Sequence, residues 1–358
     1  MTKKYFYDQF YILKNYLFNQ MTHRQKKFGE FFITRLTYIF TCFFFLFYIN
    51  YSKAQNKILE KINSPVIFQG DQRTAYRDPA VLFHNDRFYL FFTLVKNENG
   101  KIFSYTACSD SSDLRNWSQI KILTPKNQNL NFSSPGNIIQ KDGKWILCLQ
   151  TYPRPGYISD DKIRYGSGDA RIFIMKSTDL KNWTSPEILK VKGPDIQEKD
   201  MGRMIDPFLI EDLNEKGKWW CFYKQNGVSM SYTYDFMDWT FYGNTNSGEN
   251  VSVIKQDKEY IMFHSPSNGI GIKRSTDLIN WNDFGDLVTL GQNQWNWAKG
   301  RITAGTVIDL RSTPRVGKYL MFFHGSGPKK EKEGDFDKNS SIGVAWSSNL
   351  IDWEWPRP

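Results

Sequence analysis

Ser177-Thr178-Asp179-Leu180-Lys181-Asn182-Trp183 is one of five copies of a single pattern, and that recurrence decides the fold. Close copies are Ser112-Asp113-Leu114-Arg115-Asn116-Trp117 and Ser275-Thr276-Asp277-Leu278-Ile279-Asn280-Trp281; weaker ones run from Thr233 to Trp239 and from Ser347 to Trp353. Successive Trp residues lie 66, 56, 42 and 72 residues apart. Equal motifs at unequal spacing point to one supersecondary unit repeated with loops of different length. The Asp of each copy suits a tight turn, and its Trp is expected to pack between neighbouring units.

Working outward, each copy is preceded by a run of aromatic and branched residues after a polar turn. These runs are Arg87 to Phe92, Lys144 to Leu147, Lys218 to Tyr223, Glu259 to His264 and Lys318 to His324. They read as strands. A further apolar strand comes before each (Ala80 to Phe83, Asn137 to Ile139, Phe208 to Ile210, Val251 to Ile254, Thr306 to Leu310), and another, such as Arg171 to Met175 or Ile342 to Trp346, leads into each motif. Four strands per repeat, five repeats and no long amphipathic helix predict an all-β fold, a five-bladed β-propeller of four-stranded antiparallel blades. It is expected to occupy residues 55–358 as one domain.

Residues 1–54 have a different character. A basic stretch after Met21 (His23, Arg24, Lys26, Lys27, Arg35) leads into the apolar run Leu36 to Asn50, and Ser52-Lys53-Ala54 offers small residues for cleavage. That is the layout of an export leader, with Met21 as a possible start and cleavage after Ala54. The apolar run falls short of the ~20 residues of a comfortable membrane span, so the mature chain is expected to be secreted or periplasmic, an uncleaved anchor being the alternative. Without the leader, 39 Lys and Arg face 35 Asp and Glu, so the net charge drops from +10 to +4. The two signs are interspersed, and no basic stripe remains for nucleic acid. Cys108, Cys148 and Cys221 each lie in an apolar run without CxxC spacing, which reads as buried thiols.

In a propeller the inner strands run in one direction around a channel, so equivalent starting positions gather at one rim. With the aromatic of the next strand as ruler, Asp78 lies eleven residues before Tyr89, Ser134 eleven before Trp145 and Glu249 eleven before Tyr260. Asp206 takes the equivalent place in the third repeat, where Ile205-Asp206-Pro207 echoes Arg77-Asp78-Pro79, and the fifth has Ala304 or Gly305. Three carboxylates at one rim repel one another, which the fold alone does not call for. Glycoside hydrolysis requires a protonated carboxyl for the leaving oxygen and an ionised one for water or the sugar, and a third carboxylate nearby can raise the acid's pKa. An Asp-Pro that merely opens a strand is the structural alternative for Asp78 or Asp206 singly.

On Arg77-Asp78-Pro79-Ala80, Ile205-Asp206-Pro207-Phe208, Gly248-Glu249-Asn250 and the Asp-Leu-x-x-Trp turns, residues 65–358 resemble the glycoside hydrolase family 43 propellers. The resemblance implies Asp78 as general base, Asp206 as the pKa-modulating carboxylate, Glu249 as general acid, and hydrolysis with inversion. It also implies arabinofuranosides or xylosides of plant or algal oligo- and polysaccharides as substrates, with no cofactor required. Family members often carry Glu-Gly-Pro or Glu-Ala at the acid, where this chain has Glu249-Asn250-Val251. The sequence also looks like the related β-fructosidase families 32 and 68, whose Asn-Asp-Pro and Glu-Cys motifs are missing here, and like the anhydrogalactosidases of family 117.

Around the acids, Trp295, Trp297 and Arg301 in the long connection between the fourth and fifth repeats are candidates for stacking on a sugar and bonding its hydroxyls. Arg77 is a candidate partner for a rim carboxylate or a substrate. His324 stands where family members place a channel histidine, with calcium or sodium possible beside it, although few carboxylates accompany it. No nucleophile elbow, zinc motif or phosphate loop occurs. A glycan-binding propeller without catalysis and a phosphorylase using Arg77, Arg203 and Arg301 are the other function classes open to this sequence.

Overall fold

The computed structural model describes residues 58–160 and 162–356. The leader expected over residues 1–54 lies outside the described residues. The rest forms five antiparallel sheets in chain order, as the repeats predict. The inner strands are Thr74–His84 in blade one, Phe132–Ser133 with Ile138–Lys141 in blade two, Ile205–Glu211 in blade three, Glu249–Gln256 in blade four and Arg301–Asp309 in blade five. Each pairs with the aromatic-rich strand that follows it (Arg87–Glu98, Lys144–Thr151, Trp219–Lys224, Glu259–Ser267, Tyr319–Ser326).

Ring closure uses a strand that the repeats do not reveal. Val66–Phe68 pairs with Ser341–Ser347 of blade five, the same strand that Trp353–Glu354 joins further along. The first described strand is thereby hydrogen-bonded into the last sheet, which closes the ring.

The recurrent turns do what their composition predicts. In blade one the Asp113 carboxylate accepts the N–H groups of Arg115 and Asn116 (3.0 and 2.8 Å), and Ser111 Oγ accepts that of Leu114 (3.0 Å). Asp179, Asp235 and Asp277 repeat the arrangement, and Asn349 takes the part in blade five. The next residue adopts left-handed backbone every time: Leu114, Leu180, Phe236, Leu278 and Leu350 have φ between 61° and 69°. A bulky side chain at such φ is costly unless its surroundings hold it. Here they do, because Leu114, Leu180, Leu278 and Leu350 are all buried.

The Trp that closes each turn packs in the seam between its own blade and the preceding one. Trp117 joins the cluster shared by blades one and five, Trp183 that of one and two, Trp239 that of two and three, Trp281 that of three and four, and Trp353 that of four and five. The core is therefore divided mainly among five apolar wedges between blades, with two smaller clusters beside them, rather than gathered in one centre. Each buried large side chain stabilises it by about 1.5–3 kcal/mol. Cys148 and Cys221 are buried free thiols within one such wedge. Among the described residues no helix is long and apolar enough to cross a membrane.

Candidate active site

Every inner strand breaks its pairing once, near its start. The register slips between Arg77 and Ala80, Ile205 and Phe208, Glu249 and Ser252, and Thr303 and Thr306, while in blade two the strand is interrupted after Ser133. At each break one residue is left-handed: Asp78 (φ 48°), Ser134 (36°), Asp206 (54°), Asn250 (55°) and Ala304 (53°). These five line one narrow cavity of about 20 Å³. They are the true equivalents of one another, and Asp and Asn are among the few side chains that tolerate this backbone.

The register read from sequence needs one correction. Glu249 does not match Asp78; it lies opposite Ser265 as Arg77 lies opposite Thr93, so Asn250 is the counterpart of Asp78. The ruler slipped because blade one offers two consecutive aromatics. Counting from the hairpin pairs His84 with Arg87 and Gln256 with Glu259 makes Phe88, fully buried, the match of Tyr260, rather than the half-buried Tyr89.

Asp78, Asp206 and Glu249 nevertheless line one pocket of about 740 Å³. Asp78 is buried, and its Oδ2 accepts the hydroxyls of Thr93 (2.8 Å) and Ser134 (3.0 Å). Asp206 is buried too, held through its backbone N–H by Gln150 Oε1 at 2.5 Å. Burial, then the charges of Glu249 and Asp78, push the Asp206 carboxyl up to about 7, against partial relief from Lys224 and Arg203. It is thus protonated over much of the range in which ordinary carboxylates are ionised.

Glu249 is held in the opposite state. Burial alone would raise its pKa, but the hydrogen bond and charge of Lys224, followed by those of Arg301, leave it below the usual value. Lys224 Nζ meets one oxygen and Arg301 donates to the other at 2.7 Å. Arg301 also donates to Glu331 Oε2 at 2.7 Å and so bridges two carboxylates.

The matching family model is "Glycosyl hydrolases family 43", over residues 64–236, which takes in both Asp-Pro motifs, two of the five turns and the start of the third. Just under half of the chain thus matches the family 43 glycoside hydrolases, on a five-bladed propeller. No curated protein sequence matches it. Several solved structures share the fold. A thermostable family-43 glycoside hydrolase is 15% identical, with 83% of this chain and 96% of that one covered and a TM-score of 0.54. A family 43 β-1,3-galactosidase bound to galactodeoxynojirimycin is 13% identical, with 77% and 94% covered and a TM-score of 0.54. An exo-1,5-α-L-arabinanase from a bovine ruminal metagenomic library is 16% identical, with 78% and 95% covered and a TM-score of 0.51. At such identities the likeness is one of fold.

Within this family 43-like site, Arg77 and Arg301 line the pocket as expected, and His324 lies between Asp78 and the buried Glu331. Arg77 stacks on Phe336 at 4.0 Å and donates to its carbonyl at 3.0 Å. His324 Nδ1 accepts the Asp78 N–H and its Nε2 faces Glu331 Oε1, both at 3.1 Å. Both ring nitrogens of His324 are engaged in these contacts, and among the described residues no cluster of three His, Cys, Asp or Glu is arranged to hold a metal.

Trp295 and Trp297 are not brought to the pocket. They stack on each other at 5.1 Å and on Phe323 at 6.1 and 5.9 Å, in the wedge of blades four and five. Surface aromatics and wedge aromatics look alike in a sequence, and here the apolar seam won.

Glu331 escaped the sequence reading. It belongs to the charge-rich stretch Lys329 to Lys338, which has no place in the repeat, yet it is buried with Arg77, Arg301, His324 and Ser326 around it. Burial acts against its ionised form, but Arg77, His324 and Arg301 outweigh that and hold it well below the ordinary range. Its two missed companions, Gln150 and Lys224, sit on second strands, where only the three-dimensional register assigns them a role.

Proposed function

We propose that this enzyme hydrolyses plant or algal oligo- or polysaccharides with inversion, as an arabinofuranosidase- or xylosidase-like glycosidase. Asp78 is the general base, Glu249 the general acid and Asp206 the carboxyl that carries the site's proton at rest. The carrying observation is the convergence of three carboxylates from three blades on one pocket, one of them protonated near neutrality beside an ionised one. Such a split is what paired acid and base work requires.

Asp78 takes a proton from water as the water oxygen bonds to the anomeric carbon. The bond from that carbon to the leaving oxygen breaks, and Glu249 gives that oxygen a proton. Thr93 and Ser134 hold Asp78 Oδ2, leaving its other oxygen for the water. Glu249 must be protonated to act, and the adjacent Asp206 holds the proton it needs. Arg77 and Arg301 then orient sugar hydroxyls, as planar donors with fixed forks can. Export through the leader would place the enzyme where such glycans occur.

The test is a panel of aryl arabinofuranoside, xyloside, galactoside and fructoside, with the first-formed anomer followed by NMR. Release of the opposite anomer from the arabinofuranoside or xyloside is expected. Release of the same anomer would replace inversion by a retaining mechanism, and turnover of the galactoside or fructoside alone would replace the substrate class.

A further inference from the structure

The five second strands hold equivalent residues opposite the break in their inner strand: Thr93, Gln150, Lys224, Ser265 and His324. Four of them do the same thing. Each accepts the backbone N–H of the left-handed residue in the next blade: Thr93 from Ser134 (2.7 Å), Gln150 from Asp206 (2.5 Å), Ser265 from Ala304 (2.9 Å) and His324 from Asp78 (3.1 Å). This is an inter-blade latch. It satisfies a donor that the bulge takes out of the sheet ladder, and a buried donor left unpaired would destabilise the fold.

Blade three breaks the series. Lys224 has donors and no acceptor, so it cannot take the Asn250 N–H; its ammonium reaches one residue back, to Glu249. The exchange gains little for the fold, because solvent screens an ion pair whose lysine side chain is 39% exposed. What it does supply is a second cation on the one carboxylate that Arg301 already holds. We propose that Lys224 is a positioning residue for Glu249: blade three lacks the latch its four sisters keep, and the side chain in that place holds the Glu249 carboxylate in the pocket.

The substitution that separates this from a purely structural role is Lys224→Gln. Glutamine is the residue blade two uses at the same place, so it can restore the latch to Asn250 while removing the charge on Glu249. The full chain with Lys224→Gln is expected to melt no lower than wild type. Its Glu249 carboxyl, followed by ¹³C NMR without substrate, is expected to titrate at least about one pH unit higher, a tenfold change in proton affinity. With the substrate found by the glycoside panel, kcat/KM is expected to fall by about tenfold to a hundredfold through lost orientation, with the alkaline limb of its pH profile moved up. Lys224→Arg should recover most of the rate.

An unmoved Glu249 titration, or an unchanged kcat/KM and pH profile in Lys224→Gln, would overturn the proposal. So would a melting loss in Lys224→Gln without a titration shift, because that is the signature of a structural lysine. The kinetic readout rests on Glu249 being the proton donor, whereas the NMR readout does not. A wild type inactive on every glycoside with a shifted Glu249 titration in the variant therefore counts against the functional reading and for the lysine's hold on Glu249.

Discussion

The propeller repeats two left-handed corners five times each, and they differ in what they do with their side chains. At the outer corner, after Ser111, Ser177, Thr233, Ser275 and Ser347, the side chains hardly vary: Leu in four blades and Phe in one, followed by an invariant Trp. At the inner corner the same backbone device carries Asp, Ser, Asp, Asn and Ala. The outer corner fills a wedge of constant shape between blades, so the same apolar groups suit every copy. The inner corner faces the pocket and its narrow cavity, where packing does not dictate the side chain and chemistry can. A symmetric backbone thereby carries an asymmetric site.

Breaking each corner should accordingly fail in a different way. The largest effect is expected at the inner corner: Asp78→Asn should lower kcat/KM by about 10²–10⁴-fold, the usual contribution of a general base. Its melting temperature should stay close to that of wild type, since Asn tolerates the φ of 48°. Hydrolysis assayed alongside thermal melting checks both halves, and retained activity would remove Asp78 from the mechanism.

The converse experiment is Trp239→Ala at an outer corner. Trp239 is buried in the wedge of blades two and three, so the variant should lose about 3–5 kcal/mol of stability by urea unfolding. Under conditions where it remains folded, kcat/KM should change little. A rate loss in the folded variant would show that wedge packing reaches into the site.

The smallest expected effect is one of pH, and the corners respond with opposite signs. Asp113 and Asp277 at outer corners are held at about 2 because, despite opposing partial burial, backbone N–H donors favour their ionised form. Their folded pKa values lie below the unfolded one, so their stabilisation is present above about pH 4 and is lost as pH falls towards 2. Asp206 at the inner corner is raised to about 7 by burial and its acidic neighbours, so stability is greatest below pH 4 and is lost as pH rises through 7. Asp206→Asn should therefore melt higher than wild type at pH 8, with the gain shrinking towards pH 4, in a pH series of thermal melts. A constant difference across the series would mean that Asp206 does not carry the resting proton.

Much of this was readable in the chain, for reasons that particular residues make plain. The outer corner is a local object: Ser-x-Asp-Leu with Trp three residues on makes its own hydrogen bonds, so five copies reveal five blades. Arg77-Asp78-Pro79 and Ile205-Asp206-Pro207 were legible for the same reason, each marking a break in its own strand. Glu249 was found by counting, one residue out of register, because two adjacent aromatics in blade one served equally well as ruler until burial chose Phe88. The closing strand Val66–Phe68 belongs to no repeat and is recognised only by its partner, Ser341–Ser347.

By itself, then, the sequence determined the number of blades, the strand order within them and the presence of three acids at one rim, since all of these follow from periodicity and short-range bonding. Only the tertiary structure decided which carboxylate keeps its proton, that Glu331 joins the site, that Trp295 and Trp297 leave it, and that Lys224 departs from its four equivalents. Those outcomes depend on burial and on charges brought close from distant parts of the chain, as when Arg301 meets Glu249, and a linear order of residues contains neither.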